Sequence, residues 1–318
     1  MRLAFISHEY PPDTGKGGIG TYVNQIATAM AASLHDIHVF SGSNTRSNDE
    51  NENGFWVHRI QCVNGQDFRD KVVGVFEQYH SIIPFDIIES AEINGDALEL
   101  KRTYPGLLLV VRLHAPNRLI ENLKKRYVPT TAKLRFVLGA LKRFRFDLGY
   151  WRSYKKETDP DYKFIQLADG ITAPSEAMKS WAVKNWHLPP ANISVLPNIF
   201  SPSPALLKMP VNKSTEFKRV VFFGRLNVLK GLVNASRAMK KILIEFPDWK
   251  FRVIGDDGNG PSVGVSMRTW MQQELSTVIE QVEFKEGLPY EEIPGNIEDA
   301  EIVLLPSLFE SFSYTCIE

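Results

Sequence analysis

Two glutamates eight residues apart close the chain, and their position suits a polar ligand. The apolar run 302–305 leads through Pro306 to Glu310, and Glu318 is the last residue. A strand followed by a short loop and the start of a helix exposes backbone N–H groups that can bind phosphate. Two carboxylates beside that loop could accept hydrogen bonds from the hydroxyls of a sugar nucleotide.

A second candidate site lies in the loop 224–231, directly after the apolar run 219–223. Arg225 and Lys230 are five residues apart in this loop. Such a pair can bind a diphosphate, because a guanidinium forks across two oxygens and an ammonium acts as a point charge. The alternative is that both are solvated loop residues.

The first loop, 11–20, is rich in glycine and includes Gly17 and Gly18. Glycines let the backbone approach a ligand closely and expose amides at a helix N-terminus. The spacing matches neither Gly-x-Gly-x-x-Gly nor Gly-x-x-x-x-Gly-Lys-Ser/Thr, so it does not support dinucleotide or ATP binding. A flexible connecting loop is the alternative.

The composition is that of an ordinary globular protein. Of 318 residues, 43% are apolar and 23% charged, and 37 Lys plus Arg balance 37 Asp plus Glu. No net charge therefore recruits nucleic acid or a membrane. Two cysteines, Cys62 and Cys316, indicate a reducing compartment, and no apolar run reaches the ~18 residues of a membrane span. We predict a soluble, cytoplasmic protein.

Strands and helices alternate along the chain, which predicts parallel α/β sheets. A segment rich in Pro, Ser and Asn, 197–215, separates two such series. We predict two domains, 1–204 and 205–318, across a ligand-binding cleft. The predicted helices include 21–32, 233–245 and 268–279. The predicted strands are 3–6, 37–40, 56–60, 87–88, 107–111, 170–173, 193–196, 219–223, 251–254, 282–284 and 302–305.

Together these segments resemble the retaining glycosyltransferases of the group 1, family 4 type. The resemblance covers essentially the whole chain and implies the GT-B fold, in which two Rossmann-like α/β/α domains face each other. The closing element is similar to the family's Glu-x7-Glu motif, although Ser313 stands where the family commonly has glycine. The matching segments are the first loop, Val110–His114, Thr172–Ser175, Val195–Asn198, Phe223–Gly231 and Leu305–Glu318.

The resemblance implies a role for each candidate residue. Arg225 and Lys230 would bind the donor's diphosphate and stabilise the leaving group. Glu310 would hold hydroxyls of the donor sugar, and Glu318 would hold the ribose. The remaining contacts would come from the backbone near Ser313, Tyr314 and Thr315, from Gly17 and Gly18, and from His114 beside the transferred sugar.

The implied reaction moves a sugar from a UDP- or GDP-sugar to an acceptor hydroxyl with retained anomeric configuration. It would need no metal or other cofactor and would serve surface polysaccharide or glycolipid synthesis, with no nucleic acid as partner. Front-face attack, with donor phosphate taking the acceptor's proton, is favoured over Glu310 as a covalent nucleophile. The alternatives are an epimerase or phosphorylase on the same fold, or an inactive nucleotide-binding fragment.

The chain stops where a helix should begin in its second domain. We therefore expect an incomplete second domain that leaves apolar surface open and is less stable and less active than a longer form.

Two motifs have competing interpretations. A lone histidine such as His114 after an apolar run is about as often structural as catalytic, and its place among the matching segments favours function. Asp159-Pro-Asp161 matches the Asp-x-Asp metal signature of the other major glycosyltransferase fold. Because it lies in a turn rather than after a buried strand, a structural role is favoured.

The segment 121–147 is both basic and apolar. Eight Lys or Arg residues and no acid lie between Glu121 and Asp147, interleaved with Phe, Leu and Val. Such a segment could make peripheral contact with an anionic membrane surface. A helix with one core face and one solvated basic face is the slightly favoured alternative.

Overall fold

A computed structural model describes residues 1–15, 17–146, 154–202, 207–208, 217–262, 264–289 and 292–317. The chain divides into two compact units. The first comprises Met1–Arg118 and Tyr154–Ser201, and the second comprises Leu119–Ser153 and Pro202–Glu318. The predicted domain boundary between residues 204 and 205 lies outside the described residues.

The first unit is built on an eight-stranded sheet with the order β3-β4-β2-β1-β5-β6-β7-β8. Every neighbouring pair is parallel except β3 and β4. The strands are β1 (Arg2–Ser7), β2 (Asp36–Ser43), β3 (Asn48–Glu52), β4 (Phe55–Gln61), β5 (Ile87–Ala91), β6 (Leu108–Arg112), β7 (Gly170–Ala173) and β8 (Ile193–Val195). The described helices up to residue 186 are α1 (Gly18–Ala32), α2 (Gly65–His80), α3 (Leu98–Thr103), α4 (Asn117–Lys125), α5 (Thr130–Lys142), α6 (Pro160–Ile165) and α7 (Glu176–Trp186).

The second unit contains a parallel sheet with the order β11-β10-β9-β12. Successive strand residues point to opposite faces, so Val220 and Phe222 of β9 enter one core cluster while Val221 and Phe223 enter another. The strands are β9 (Arg219–Phe223), β10 (Lys250–Ile254), β11 (Val282–Lys285) and β12 (Ile302–Val303). Helix α5 belongs to this unit, and its described helices after residue 202 are α8 (Leu232–Glu245), α9 (Met267–Glu274), α10 (Ile293–Ile297) and α11 (Tyr314–Ile317).

The predicted alternation is confirmed in both units, with two differences. The helix predicted over 268–279 ends at Glu274, and a 3₁₀ segment, Ser276–Gln281, follows it. The sequence also missed β3, which contains no apolar residue. This strand forms an antiparallel ladder with β4, and ion pairs support it. The buried Arg59 of β4 donates to Glu50 at 2.9 Å and to Glu52 at 2.7 Å.

A pair of buried histidines joins β2 to β4 in the first unit. His38 Nδ1 and His58 Nε2 are 2.8 Å apart, and the two rings stack. His58 Nδ1 also lies 2.8 Å from Asp49 Oδ1, and His38 Nε2 lies 3.2 Å from Asp36 Oδ1. Burial, followed by the neighbouring His58, lowers the pKa of His38 to about 4. His38 is therefore neutral in the folded protein at neutral pH.

This histidine should make stability depend on pH. Between pH 6.5 and pH 4 the unfolded chain protonates His38 and the folded chain does not, so the free energy of unfolding falls as pH falls through this window, by up to about 3 kcal/mol. The free energy of unfolding, measured with urea over this pH range, should depend less steeply on pH for His38→Gln than for the wild type. His35→Gln, a half-exposed histidine outside the network, is the control, and equal slopes for all three proteins would contradict the prediction.

Candidate active site

The loop after β9 carries both predicted cations. Leu226 N donates to Asp256 O at 2.9 Å, which joins this loop to the one after β10. Asn227 begins a 3₁₀ turn, Val228–Lys230, and its side chain accepts from Lys230 N at 3.1 Å. Lys230 therefore stands at the end of a capped turn, immediately before α8. Arg225 lies on the same loop, is exposed, and forms no hydrogen bond or ion pair with another described residue.

Lys230 and Glu310 form an ion pair. Lys230 Nζ donates to Glu310 Oε1 at 2.7 Å, and the two side chains are 30% and 31% exposed. The pairing follows from sheet topology, because β12 runs parallel to β9 and the loops that follow both strands emerge at the same edge. Leu308 N also donates to Leu229 O at 2.9 Å, which holds the two loops together. The two loops that the sequence analysis singled out are therefore in direct contact.

Gly231 fits this arrangement only because it lacks a side chain. Its φ is +71°, in the left-handed region, and a Cβ atom here would lie 1.8 Å from Pro306 O. The carbonyl of Pro306 therefore occupies the space that any other residue at position 231 would fill. This close approach sets the separation between the Lys230 loop and the segment that carries Glu310.

The predicted backbone contacts at the end of the chain lie on one helical turn. Ser313 O accepts from Cys316 N at 3.2 Å, and Tyr314 begins α11. The rings of Phe312 and Tyr314 meet edge to face with centroids 5.2 Å apart. Ser313, Tyr314 and Thr315 are all partly exposed. Glu318, predicted to bind the ribose, lies outside the described residues.

The glycine-rich loop of the first unit contains two kinds of glycine. At some positions a side chain would clash with neighbouring atoms, and at others it would not. A Cβ at Gly15 would lie 2.7 Å from Tyr10 N, and one at Gly20 would lie 3.2 Å from Pro11 Cδ. At Gly17 an added Cβ would make an ordinary contact with a Glu9 carboxylate oxygen at 3.4 Å, and at Gly18 no atom of the described residues lies within 4 Å. Contacts within the described residues therefore explain Gly15 and Gly20, whereas they do not explain Gly17 and Gly18 at the start of α1.

His114 follows β6 and is buried as a neutral imidazole. Its backbone N donates to Glu92 Oε2 at 2.8 Å, and its ring meets that of Tyr22 edge to face at 5.2 Å. Burial and the positive charge of Arg112 lower the pKa of His114 to about 3. Because the ring carries no charge at neutral pH, it can donate or accept a hydrogen bond but does not supply a cation.

Glu92 is a buried acid that the sequence analysis did not single out. It is fully buried after β5, and burial raises the pKa of its carboxyl to about 8. Asp96 lies four residues later, accepts from His8 N at 2.7 Å, and has its pKa raised by burial to about 7. Acidic residues directly after an apolar strand, at the carboxyl edge of a parallel sheet, were the signal that could have found them.

Two of the matching segments contact each other through Arg112. Its guanidinium donates to Leu196 O at 2.6 Å and to the side-chain oxygen of Asn198, and it lies over the Tyr22 ring. In the segment Thr172–Ser175, Ser175 caps α7 by accepting from Met178 N at 3.3 Å. All three segments therefore have structural roles within the first unit.

Asp159 and Asp161 are engaged by protein groups. Asp159 accepts from Tyr154 Oη at 2.6 Å and caps α6 by accepting from Asp161 N at 3.0 Å. Asp161 accepts from Asn117 N at 2.7 Å and from Asn94 N at 3.3 Å. These contacts favour the structural interpretation of the motif. Within the described parts of the chain, no three His, Cys, Asp or Glu residues are grouped so that they could hold a metal ion.

Comparison with known proteins adds two family matches. The family model described as Glycosyltransferase Family 4 matches residues 16–203, and the model described as glycosyl transferases group 1 matches residues 207–318. None of the curated proteins compared with the chain matches it.

Several solved structures share the fold. Sucrose-phosphate synthase from Thermosynechococcus elongatus is 15% identical with a TM-score of 0.67, and the alignment covers 100% of this chain and 78% of that chain. The lipopolysaccharide outer core galactosyltransferase in its apo form is 15% identical with a TM-score of 0.55, and the alignment covers 100% of this chain and 77% of that chain. The catalytic domain of starch synthase IV from Arabidopsis thaliana, bound to ADP and acarbose, is 12% identical with a TM-score of 0.61. That alignment covers 99% of this chain and 80% of that chain.

Two α/β units with parallel sheets, shared with these structures over essentially the whole chain, define the GT-B fold. The Family 4 model matches more than half of the chain. The protein belongs to Glycosyltransferase Family 4, and residues 207–318 are of the glycosyl transferases group 1 type. The fold class and the family predicted from the sequence are both confirmed.

The contact between Gly231 and Pro306 yields a prediction about stability. Gly231→Ala should destabilise the protein by about 1–2 kcal/mol for the left-handed backbone, and by about 1–3 kcal/mol more for the overlap with Pro306. Gly264→Ala is a matched control, since its φ is +77° and no atom of the described residues lies within 4 Å of its added Cβ. The free energy of unfolding, measured with urea, should fall further for Gly231→Ala. Equal losses in the two variants would mean that the Pro306 contact does not constrain the loop.

Proposed function

We propose that the protein transfers a sugar, with retained anomeric configuration, from a UDP- or GDP-sugar to an acceptor hydroxyl of a surface polysaccharide or glycolipid. The observation that carries this proposal is the ion pair of Lys230 and Glu310 at one sheet edge, which brings together the cation that we propose for phosphate and the carboxylate that we propose for sugar. The predicted cytoplasmic location and metal independence are part of the same proposal.

In this reaction, Lys230 exchanges Glu310 for a phosphate oxygen when the donor binds. Exposed Arg225 is available to the same diphosphate. The bond between the anomeric carbon and the diphosphate breaks while the acceptor oxygen attacks from the same face, and the acceptor's proton passes to the departing phosphate. The two cations stabilise the negative charge that develops on that phosphate. Glu310, released from Lys230, accepts hydrogen bonds from the donor sugar's hydroxyls.

Several features of the first unit support roles for its candidate residues. At Gly18, where α1 begins, no atom of the described residues lies within 4 Å of an added Cβ, which suits close approach of a phosphate or sugar to Gly17 and Gly18. His114, held neutral, can hydrogen-bond a sugar hydroxyl without adding charge near an oxocarbenium-like centre. The starch synthase structure, bound to ADP, offers a nucleotide-bound relative for comparison.

The ion pair gives a test that separates the two roles. Lys230→Ala should weaken UDP or GDP binding by about 10- to 100-fold, because it removes a charge-assisted hydrogen bond to phosphate. Glu310→Gln should leave nucleotide affinity unchanged or raised, since Lys230 loses its competing partner, yet lower transfer at least about 10-fold. Calorimetry measures binding, and a radiolabelled-donor assay measures transfer. Lys241→Ala, at an exposed position of α8, is the control.

Other outcomes would reject parts of the proposal. Unchanged transfer in both site variants would remove the site assignment, and no heat with either nucleotide would favour an inactive fragment. A change in the sugar when donor is incubated without acceptor would indicate an epimerase. Nuclear magnetic resonance of the product's anomeric centre tests retention, and activity in excess chelator tests metal independence.

A further inference from the structure

Helix α5 and the residues just after it expose an unusual amount of apolar surface. Leu134, Leu138 and Leu141 are 51%, 58% and 49% exposed, and no residue of α5 is buried. Their spacing of four and three residues places them on one side of the helix. Phe144 and Phe146, just beyond the helix, are 101% and 84% exposed. We call these five residues the α5 apolar surface.

The opposite side of α5 carries three small residues and one aromatic residue. Ala132, Gly139 and Ala140 are only partly exposed there, and Phe136 is 44% exposed. A helix that contributes to a core normally buries its leucines and exposes its small or polar residues. In α5 the three leucines are at least about half exposed and no residue is buried, so the core face favoured from the sequence is not formed by this helix.

Basic residues flank the α5 apolar surface. At about 100° of rotation per residue, Lys133 lies to one side of the leucine row, and Arg135 and Lys142 lie to the other. Arg143 and Arg145 flank Phe144, and no acidic residue occurs between positions 122 and 146. A row of Leu and Phe bordered by Lys and Arg is the pattern of helices that lie in a membrane interface.

The segment before α5 is held by the second unit. Tyr127 packs against that unit's core, and its hydroxyl accepts from Asn234 Nδ2 at 3.0 Å. The chain therefore contacts folded structure immediately before the helix, while the leucines of the helix itself remain exposed. This fixes one end of the segment without covering the apolar surface.

We propose that the α5 apolar surface and its basic border bind an anionic phospholipid membrane, with α5 lying along the interface. The positive charge of the basic border favours an anionic membrane, because opposite charges attract. A symmetric dimer through the same surface would place one basic border against its copy, which like-charge repulsion opposes. In the described parts of the chain, no helix has the length and apolar content to cross a membrane, so contact through α5 would be peripheral. The proposal does not depend on sugar transfer.

Vesicle sedimentation tests the proposal in two arms. The protein should bind vesicles of phosphatidylglycerol and phosphatidylcholine in equal parts, but not vesicles of phosphatidylcholine alone. Arg135→Glu combined with Lys142→Glu and Arg145→Glu should lower the partition coefficient at least about 100-fold, since each basic residue near an anionic surface contributes to binding. Leu134→Ser combined with Leu138→Ser and Leu141→Ser should lower it at least about 10-fold, because apolar burial in the interface is lost.

A matched control separates the α5 surface from total charge. Lys184→Glu combined with Lys240→Glu and Lys241→Glu makes the same change in net charge elsewhere and should retain most of the binding. All altered side chains on α5 are partly or fully exposed, so melting temperatures should stay near that of the wild type. If the control variant lost as much vesicle binding as the α5 charge variant, net charge alone would explain the loss, and the proposal would be overturned.

Two further outcomes would also overturn it. Unchanged vesicle binding in both α5 variants would place the membrane contact elsewhere or nowhere. Concentration-dependent dimerisation that the leucine variant abolishes, without vesicle binding by the wild type, would assign the surface to a second copy of the chain. Light scattering over a range of protein concentrations distinguishes these cases.

Discussion

The parallel pairing of β12 with β9 is the contact on which the candidate donor site depends. It brings the loops after both strands to one edge of the second sheet, where Leu308 donates to Leu229 and Lys230 reaches Glu310. The left-handed backbone of Gly231 then lets Pro306 approach closely. A short strand of two residues can do this because the hydrogen bonds between the loops continue the pairing beyond the strand itself.

The first unit depends on a different constraint, the burial of polar groups at the carboxyl ends of β5 and β6. Glu92, Arg112 and His114 are all buried there. Burial disfavours charge, so it raises the pKa of the Glu92 carboxyl and lowers that of the His114 imidazole. The hydrogen bond from His114 N to Glu92 is therefore made in a region of low polarity, where losing one partner is costly. Such an arrangement fixes the position of His114 while leaving its ring neutral.

The second unit combines well-packed and exposed apolar surfaces. Its core clusters lie on both faces of the sheet, through Phe222 on one side and Phe223 on the other. Helix α5, in contrast, exposes its leucines, and basic residues lie beside them. Hydrophobic patterning alone does not separate these cases, because a leucine row with a period near 3.6 predicts a helical face without specifying what covers it.

The sequence by itself determined the alternation of strands and helices, the two α/β series, the family, and the candidate residues Lys230 and Glu310. These follow from local patterns, since strand periodicity, glycine-rich loops and motif spacing are properties of short segments. Only the tertiary structure decided which groups meet and which are buried. Strand β3 forms because its acids reach Arg59 on β4, and the roles of Glu92 and of the Asp159–Asp161 motif depend on donors distant in sequence. Contacts between distant residues arise from how the sheet orders its strands, and desolvation arises from packing, so neither can be read from residue spacing.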